Sequence, residues 1–121
     1  LAPLLTFFGC AALNGVAFVG PTEIVCAGSE RKLIFFDTTS GRKTREVDVG
    51  AAVTALSLSG DHSRIFVAGD DTALRVYDAS TGAIIATGDA EVGNTTILAP
   101  SPNSQFLLSC TDTGAVYKWV I

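Results

Sequence analysis

The chain has 121 residues, 48% of them apolar and 17% charged, with 12 glycines and a formal net charge of −4. Disordered chains are poor in apolar residues and rich in charge, so this composition excludes disorder. An acidic balance also speaks against nucleic acid as the main partner, because that partner selects a basic face.

No stretch sustains an apolar period of 3.6, so no long helix is expected. The opening Leu1-Ala-Pro-Leu-Leu-Thr-Phe-Phe-Gly-Cys-Ala-Ala-Leu13 is apolar, lacks a basic leader and is too short to cross a bilayer. We expect residues 1–12 to be a strand and loop belonging to a preceding unit. Leu13 to Phe18 then reads as an inner strand, with Gly20-Pro21 in its turn. Glu23 to Ala27, Lys32 to Asp37 and Lys43 to Val47 follow as the second, third and outermost strands. The pattern repeats with Val53 to Leu58, Arg64 to Ala68, Ala73 to Asp78 and Ala83 to Thr87. A third round gives Thr95 to Ala99, Gln105 to Cys110 and Ala115 to Val120. Within Ala73 to Asp78, strand alternation puts Leu74 and Val76 on one face and Arg75 and Tyr77 on the other.

Three aromatic residues near the strand ends, Phe36, Tyr77 and Trp119, lie 41 and 42 positions apart. Two of them precede an aspartate (Asp37, Asp78), and each aspartate opens an Asp-x-x-x-Gly turn ending at Gly41 or Gly82. A period of roughly 40–45 residues with an aromatic-Asp ending is the signature of WD40 propeller blades. The chain therefore resembles the WD-repeat family over nearly its whole length. The resemblance implies an all-β WD40 β-propeller with about three four-stranded antiparallel blades, at 13–47, 53–87 and 95–121. Three blades do not close a ring that takes about four to eight, so the chain reads as the C-terminal part of a larger ring of roughly seven. The outer strand of the third blade is then expected from an earlier part of the protein. An isolated three-blade piece is expected to leave two apolar end faces wet.

Few residues suggest chemistry. His62, the single histidine, sits between Asp61 and Ser63 in an expected hairpin turn, and those residue types are what such a turn uses. Asp70-Asp71 lacks the converging oxygen ligands that Ca²⁺ or Mg²⁺ needs and reads as a turn. Cys10, Cys26 and Cys110 have no metal or disulfide spacing; Cys26 and Cys110 fall in expected inner strands as small apolar residues. Asn94-Thr-Thr96 fits the glycosylation acceptor pattern, which matters only in a secreted protein. A propeller enzyme would place carboxylates or histidines on its inner strands, and the expected inner strands hold none. No catalytic residue, cofactor or metal is expected.

WD-repeat blades often carry a buried polar chain of Trp, Ser or Thr, Asp and His. The resemblance assigns Trp119 and Ser109 to it, but Thr113 stands at the Asp position and Gly93-Asn94 where the His would be. Phe36 and Tyr77 replace the Trp, and Cys26 and Val67 the Ser, in the other blades. Stability should lean on apolar packing instead.

The charge is uneven. Arg31, Lys32, Arg42, Lys43 and Arg45 are five of the eight basic residues, and Arg42-Lys43 crowns a turn, so these five are the candidate partner contacts. A narrower resemblance rests on Ser29-Glu-Arg-Lys-Leu33, Gly69-Asp-Asp-Thr-Ala-Leu-Arg-Val-Tyr-Asp78, Gly93-Asn-Thr-Thr96 and Gly114-Ala-Val-Tyr-Lys-Trp119. These resemble the last blades of a WD-repeat family of cilia- and flagella-associated proteins. That likeness implies a non-enzymatic scaffold in the axonemal cytoskeleton, inside doublet microtubules, bound to tubulin and neighbouring axonemal proteins. The alternative is a generic cytosolic WD40 scaffold of a soluble complex.

Overall fold

A computed structural model describes residues 2–4, 12–89 and 93–121, and all its regular elements are strands. The first sheet runs β1 (Leu13–Phe18), β2 (Glu23–Gly28), β3 (Lys32–Asp37), β4 (Lys43–Asp48). The second runs β5 (Val53–Leu58), β6 (Arg64–Gly69), β7 (Ala73–Asp78), β8 (Ile84–Asp89). The third holds β9 (Thr95–Pro100), β10 (Phe106–Thr111) and β11 (Val116–Val120). Each sheet pairs its strands antiparallel in sequence order, as a meander does.

The register superimposes the repeats. Phe36 pairs with Ile24, Tyr77 with Ile65 and Trp119 with Leu107, each partner being the second residue of its strand. The three aromatics also lie on the same side of their sheets. Tyr77 faces the first sheet, in one cluster with Val25, Leu33 and Phe35. Trp119 faces the second sheet, against Ala55, Ala68 and Leu74. Phe36 packs with Ile24, Cys26 and Ile34 on the face of the first sheet turned away from the second. Tyr77 and Leu74, both buried, belong to different clusters on opposite faces of β7, as strand alternation requires.

Apolar residues at both strand parities explain the stacking. β2 and β6 bury four or more consecutive residues, so both faces of these two strands are covered. Phe35 and Phe66 are fully buried, and burying a side chain of this size stabilises by about 1.5–3 kcal/mol. At the two ends of the stack the apolar residues stay in water: Val16 and Phe18 on β1, and Ile97, Leu108 and Val116 in the third sheet. The free face of the third sheet is wet as expected, whereas on the first sheet the exposure is confined to β1, since Cys26, Ile34 and Phe36 on that same face are buried.

Several edges differ from the sequence reading by a residue or two, each for a local reason. β8 begins at Ile84 rather than Ala83, because the Ala83 carbonyl closes the preceding turn onto the Asp78 amide at 2.8 Å. β10 begins at Phe106, since the Gln105 amide donates to the Asn103 side chain at 3.1 Å. β11 begins at Val116, since the Ala115 amide donates to Thr111 Oγ1 at 3.2 Å. Cys26 and Cys110 lie on the second strands, β2 and β10, not on the inner ones, and the Cys26 thiol donates to the Ile34 carbonyl at 3.6 Å. Cys10 and most of the expected leading strand at 1–12 lie outside the described residues.

The turns repeat as faithfully as the strands. Gly41 and Gly82 both have φ of 75°, a left-handed conformation that costs an L residue about 1–2 kcal/mol. Gly82 carries a second constraint: a Cβ there would sit 2.8 Å from Val47 Cγ2 of the neighbouring blade. Gly82→Ala should therefore destabilise by more than 1 kcal/mol, and Val47→Ala in the same chain should recover part of that loss, read from urea denaturation midpoints.

Candidate interaction surface

The inner strands β1, β5 and β9 stand side by side, joined by side chains from their bulges. Asn14 Nδ2 donates to the Val53 carbonyl at 2.9 Å, and Thr54 Oγ1 donates to the Thr95 carbonyl at 2.6 Å. Asn14 and Thr54 are the extra residues at equivalent bulges, so one device locks both joints at the axis. No group of three or more metal-ligating side chains converges anywhere among the described residues. The arrangement can hold and present surfaces, with the Asn14 and Thr54 side chains spent on the joints.

The five basic residues do not form one patch. Arg31 lies exposed in the β2–β3 turn with φ of 66°, at one end of the blade. Arg42 lies exposed in the β3–β4 turn, which an antiparallel meander puts at the opposite end. Between them Lys32 and Lys43 both form ion pairs with Glu46, Lys32 at 3.4 Å. The hydrogen bond from Lys43 and the nearby charge of Lys32 hold the Glu46 carboxyl below its usual range. Lys32, Glu46 and Lys43 together thus present a single net positive charge.

Arg45 turns to the neighbouring blade. Its guanidinium carbon sits 3.9 Å from the centroid of the Phe35 ring, and its nitrogens donate to the Ala79 carbonyl and, at 3.0 Å, to the Ser80 carbonyl. Glu23 completes the joint at 3.4 Å from the guanidinium and also accepts a 2.8 Å hydrogen bond from Thr44 Oγ1. The candidate contact read from the charge cluster is a latch between blades. Sequence reasoning missed this role because its partners are main-chain carbonyls more than thirty positions away. The one local signal was that Arg45 pairs with Phe35 across the hairpin.

The other candidates are turns. Asp61 Oδ1 accepts hydrogen bonds from both Ser63 Oγ and Ser59 Oγ at 2.7 Å and from the Ser63 amide at 3.0 Å. These hold its pKa down to about 2, the Ser63 hydroxyl contributing most. His62 is exposed, with φ of 62° at the turn's tip. Asp71 pairs with Arg75 at 2.6 Å, and that bond lowers the carboxyl's pKa against a small opposing effect of burial. In the third blade Trp119 Nε1 donates to the fully buried Ser109 Oγ at 2.8 Å, the pair that the family likeness implied.

Two predictions follow from this geometry. Arg45→Ala removes charge-assisted bonds worth about 1.5–3 kcal/mol and should raise amide exchange at Ala79 and Ser80, while Arg42→Ala should not. Asp61 has a folded pKa below its unfolded one, so its contribution is present above about pH 4 and is lost as pH falls toward about 2. Asp61→Asn should flatten that part of the acid-unfolding curve measured by circular dichroism.

Comparison with known proteins agrees with this architecture. The family described as WD domain, G-beta repeat matches residues 44–78. The chain is 26% identical over 94% of its length to cilia- and flagella-associated protein 52 of Bos taurus, covering 18% of that protein. It is 23% identical over 94% to the Homo sapiens protein of that name, again covering 18% of it. For the Chlamydomonas reinhardtii protein the identity is 25% over 81% of the chain and 16% of the relative. The chain thus spans less than a fifth of the length of these relatives. The crystal structure of the C-terminal WD40 domain of Sif2 superposes with a TM-score of 0.82 at 14% identity, over 95% of this chain and 36% of that one. The 41- and 42-residue period, the stacked blades and these likenesses converge: the chain carries a WD-repeat match at residues 44–78 and folds as three successive sheets of a WD40-type β-propeller.

Proposed function

We propose that this chain is part of a non-enzymatic WD-repeat scaffold of cilia and flagella, acting inside doublet microtubules by binding tubulin and neighbouring axonemal proteins. One observation carries the reading. Relatives from an alga to mammals match most of the chain and share the name cilia- and flagella-associated protein 52. The geometry is compatible with it, since hydrogen bonds join the inner strands at the axis and the described connections within each sheet are short turns. Such turns on a stiff scaffold suit protein contact.

Tubulin is acidic, and so is this chain, so association depends on local charge rather than net charge. Arg42 is the best contact among the five basic residues. It is exposed at a hairpin tip and has no carboxylate within ion-pairing distance among the described residues. Lys43 stands beside it, while Arg45 is engaged in the joint.

Salt extraction of isolated axonemes tests the proposal. The native protein should remain with the microtubule fraction at salt concentrations that release soluble scaffolds. Arg42→Glu should shift it toward the soluble fraction, and Arg31→Glu, at the other end of the blade, should shift it less. Release of the unaltered protein by salt alone would favour a scaffold of a soluble complex instead.

A further inference from the structure

The two joints between blades differ at the end that carries the β1–β2, β5–β6 and β9–β10 turns. At the second joint the turns touch. The Gly60 amide donates to Ser104 Oγ at 3.2 Å, and a Cβ on Gly60 would come 3.0 Å from the Pro102 carbonyl oxygen. Gly20 holds the matching place in the β1–β2 turn, two residues past the end of its strand, and a Cβ there would meet nothing within 4 Å. Turn length separates the two cases: four residues link β1 to β2, whereas five link β5 to β6 and five link β9 to β10. The shorter turn stops short of its neighbour, and a cleft of about 350 Å³ opens between the first and second blades.

Val19, Glu23 and Arg45 line this cleft from the first blade, and His62, Ser63 and Asp78 from the second, with Ala79 and Ser80 beside them. Their hydrogen-bond donors are largely committed. The Val19 amide donates to the Glu23 carbonyl, that of His62 to the Ser59 carbonyl, that of Asp78 to the Ala83 carbonyl and that of Ala79 to the Ser63 carbonyl. The Ser63 amide and hydroxyl both donate to Asp61, and the Ser80 amide and hydroxyl both donate to Asp78. Arg45 turns its fork to the Ala79 and Ser80 carbonyls and to Glu23. Acceptors are what remain. Glu23 takes two hydrogen bonds among the described residues, from Thr44 and Arg45, where a carboxylate has room for about four. Asp78 is held below the usual carboxylate range by Ser80 and Thr81, so it is ionised at neutral pH. Two carboxylates thus face a single guanidinium that the main chain already anchors.

We propose that this cleft receives a basic side chain, lysine or arginine, from an extended segment of a protein partner. Its stem lies along Val19 and its donors meet the Glu23 and Asp78 carboxylates. An acidic side chain there would find few uncommitted donors and two like charges, so the cleft selects against it. The meander puts the cleft at the same end of the blades as Arg42, yet its preference is the opposite one. The site therefore goes beyond the ciliary reading and does not depend on it.

Fluorescence anisotropy with labelled short peptides tests it on the purified full-length protein. One probe carries a single arginine in a Ser-Gly background, and its controls carry glutamine or glutamate in that place. The arginine probe should bind at least about tenfold more tightly than either control. Glu23→Gln and Asp78→Asn keep the shape and an acceptor oxygen but remove the charge, and each should weaken the arginine probe by about threefold or more. His62→Lys brings a tethered ammonium into the cleft from an exposed turn tip, and it should abolish binding while the thermal melt stays cooperative. If a neutral variant fails to fold, His62→Lys still decides. The proposal is overturned if the arginine and glutamine probes bind alike, binding by neither included, or if the glutamate probe binds more tightly. It is overturned equally if His62→Lys leaves the arginine probe's affinity unchanged. Salt extraction of axonemes is untouched by any of these results, so failure here and failure of the ciliary reading are told apart.

Discussion

Face-to-face burial of small sheets is the constraint on which the rest of this structure depends. A four-stranded antiparallel sheet that is apolar on both faces cannot keep both of them from water by itself. Here both faces of the middle blade are apolar, Ile65, Val67 and Tyr77 on one side and Ala55, Ala68 and Leu74 on the other. Each face is dry only because another blade lies against it, which is the logic of repeat architectures. Aromatic residues 41 and 42 positions apart keep the wedge filled from one joint to the next. The hydrogen bonds of Asn14 and Thr54 then fix the blades at the axis, where the sheets approach most closely.

Much of this was legible in the sequence because it is local. Strand alternation, the Asp-x-x-x-Gly turns and the aromatic period are set by residues within one repeat, and the observed register places Phe36, Tyr77 and Trp119 in equivalent positions. Strand edges were less legible. Their limits depend on which amide a turn side chain captures, as Asn103 does for Gln105 and Thr111 for Ala115. The site was the least legible part. A run of basic residues looks like one patch on paper, yet a hairpin sends Arg31 and Arg42 to opposite ends and turns Arg45 inward. The meander within one blade separates Arg31 from Arg42, whereas the inward turn of Arg45 shows only in the pairing between blades.

Electrostatics in this chain is short-ranged and mostly satisfied on site. The carboxylates of Asp61, Asp71 and Asp78 accept hydrogen bonds from their own turns, and each is held below its ordinary pKa by those bonds. Such groups stay ionised at neutral pH, so these bonds fix where the charge sits rather than removing it; of the three, only Asp71 has its charge offset by a cation among the described residues, Arg75. What remains available is a small number of cations at defined places, and their positions on the blade matter more than their number.

The contrast between the two joints shows where such a scaffold can acquire specificity. The positions that set the wedge, Ile65, Val67 and Tyr77 or Leu107, Ser109 and Trp119, are buried or half-buried in both blades. The rim positions at Arg45 and Ala86 do not decide whether the blades stack, since both joints form with quite different side chains there. Arg45 spans the first joint while Ala86 stands at the matching position of the next, a difference the fold absorbs. Recognition can then change joint by joint around a ring whose core packing stays the same, which is how one repeated unit yields surfaces that are not repeated.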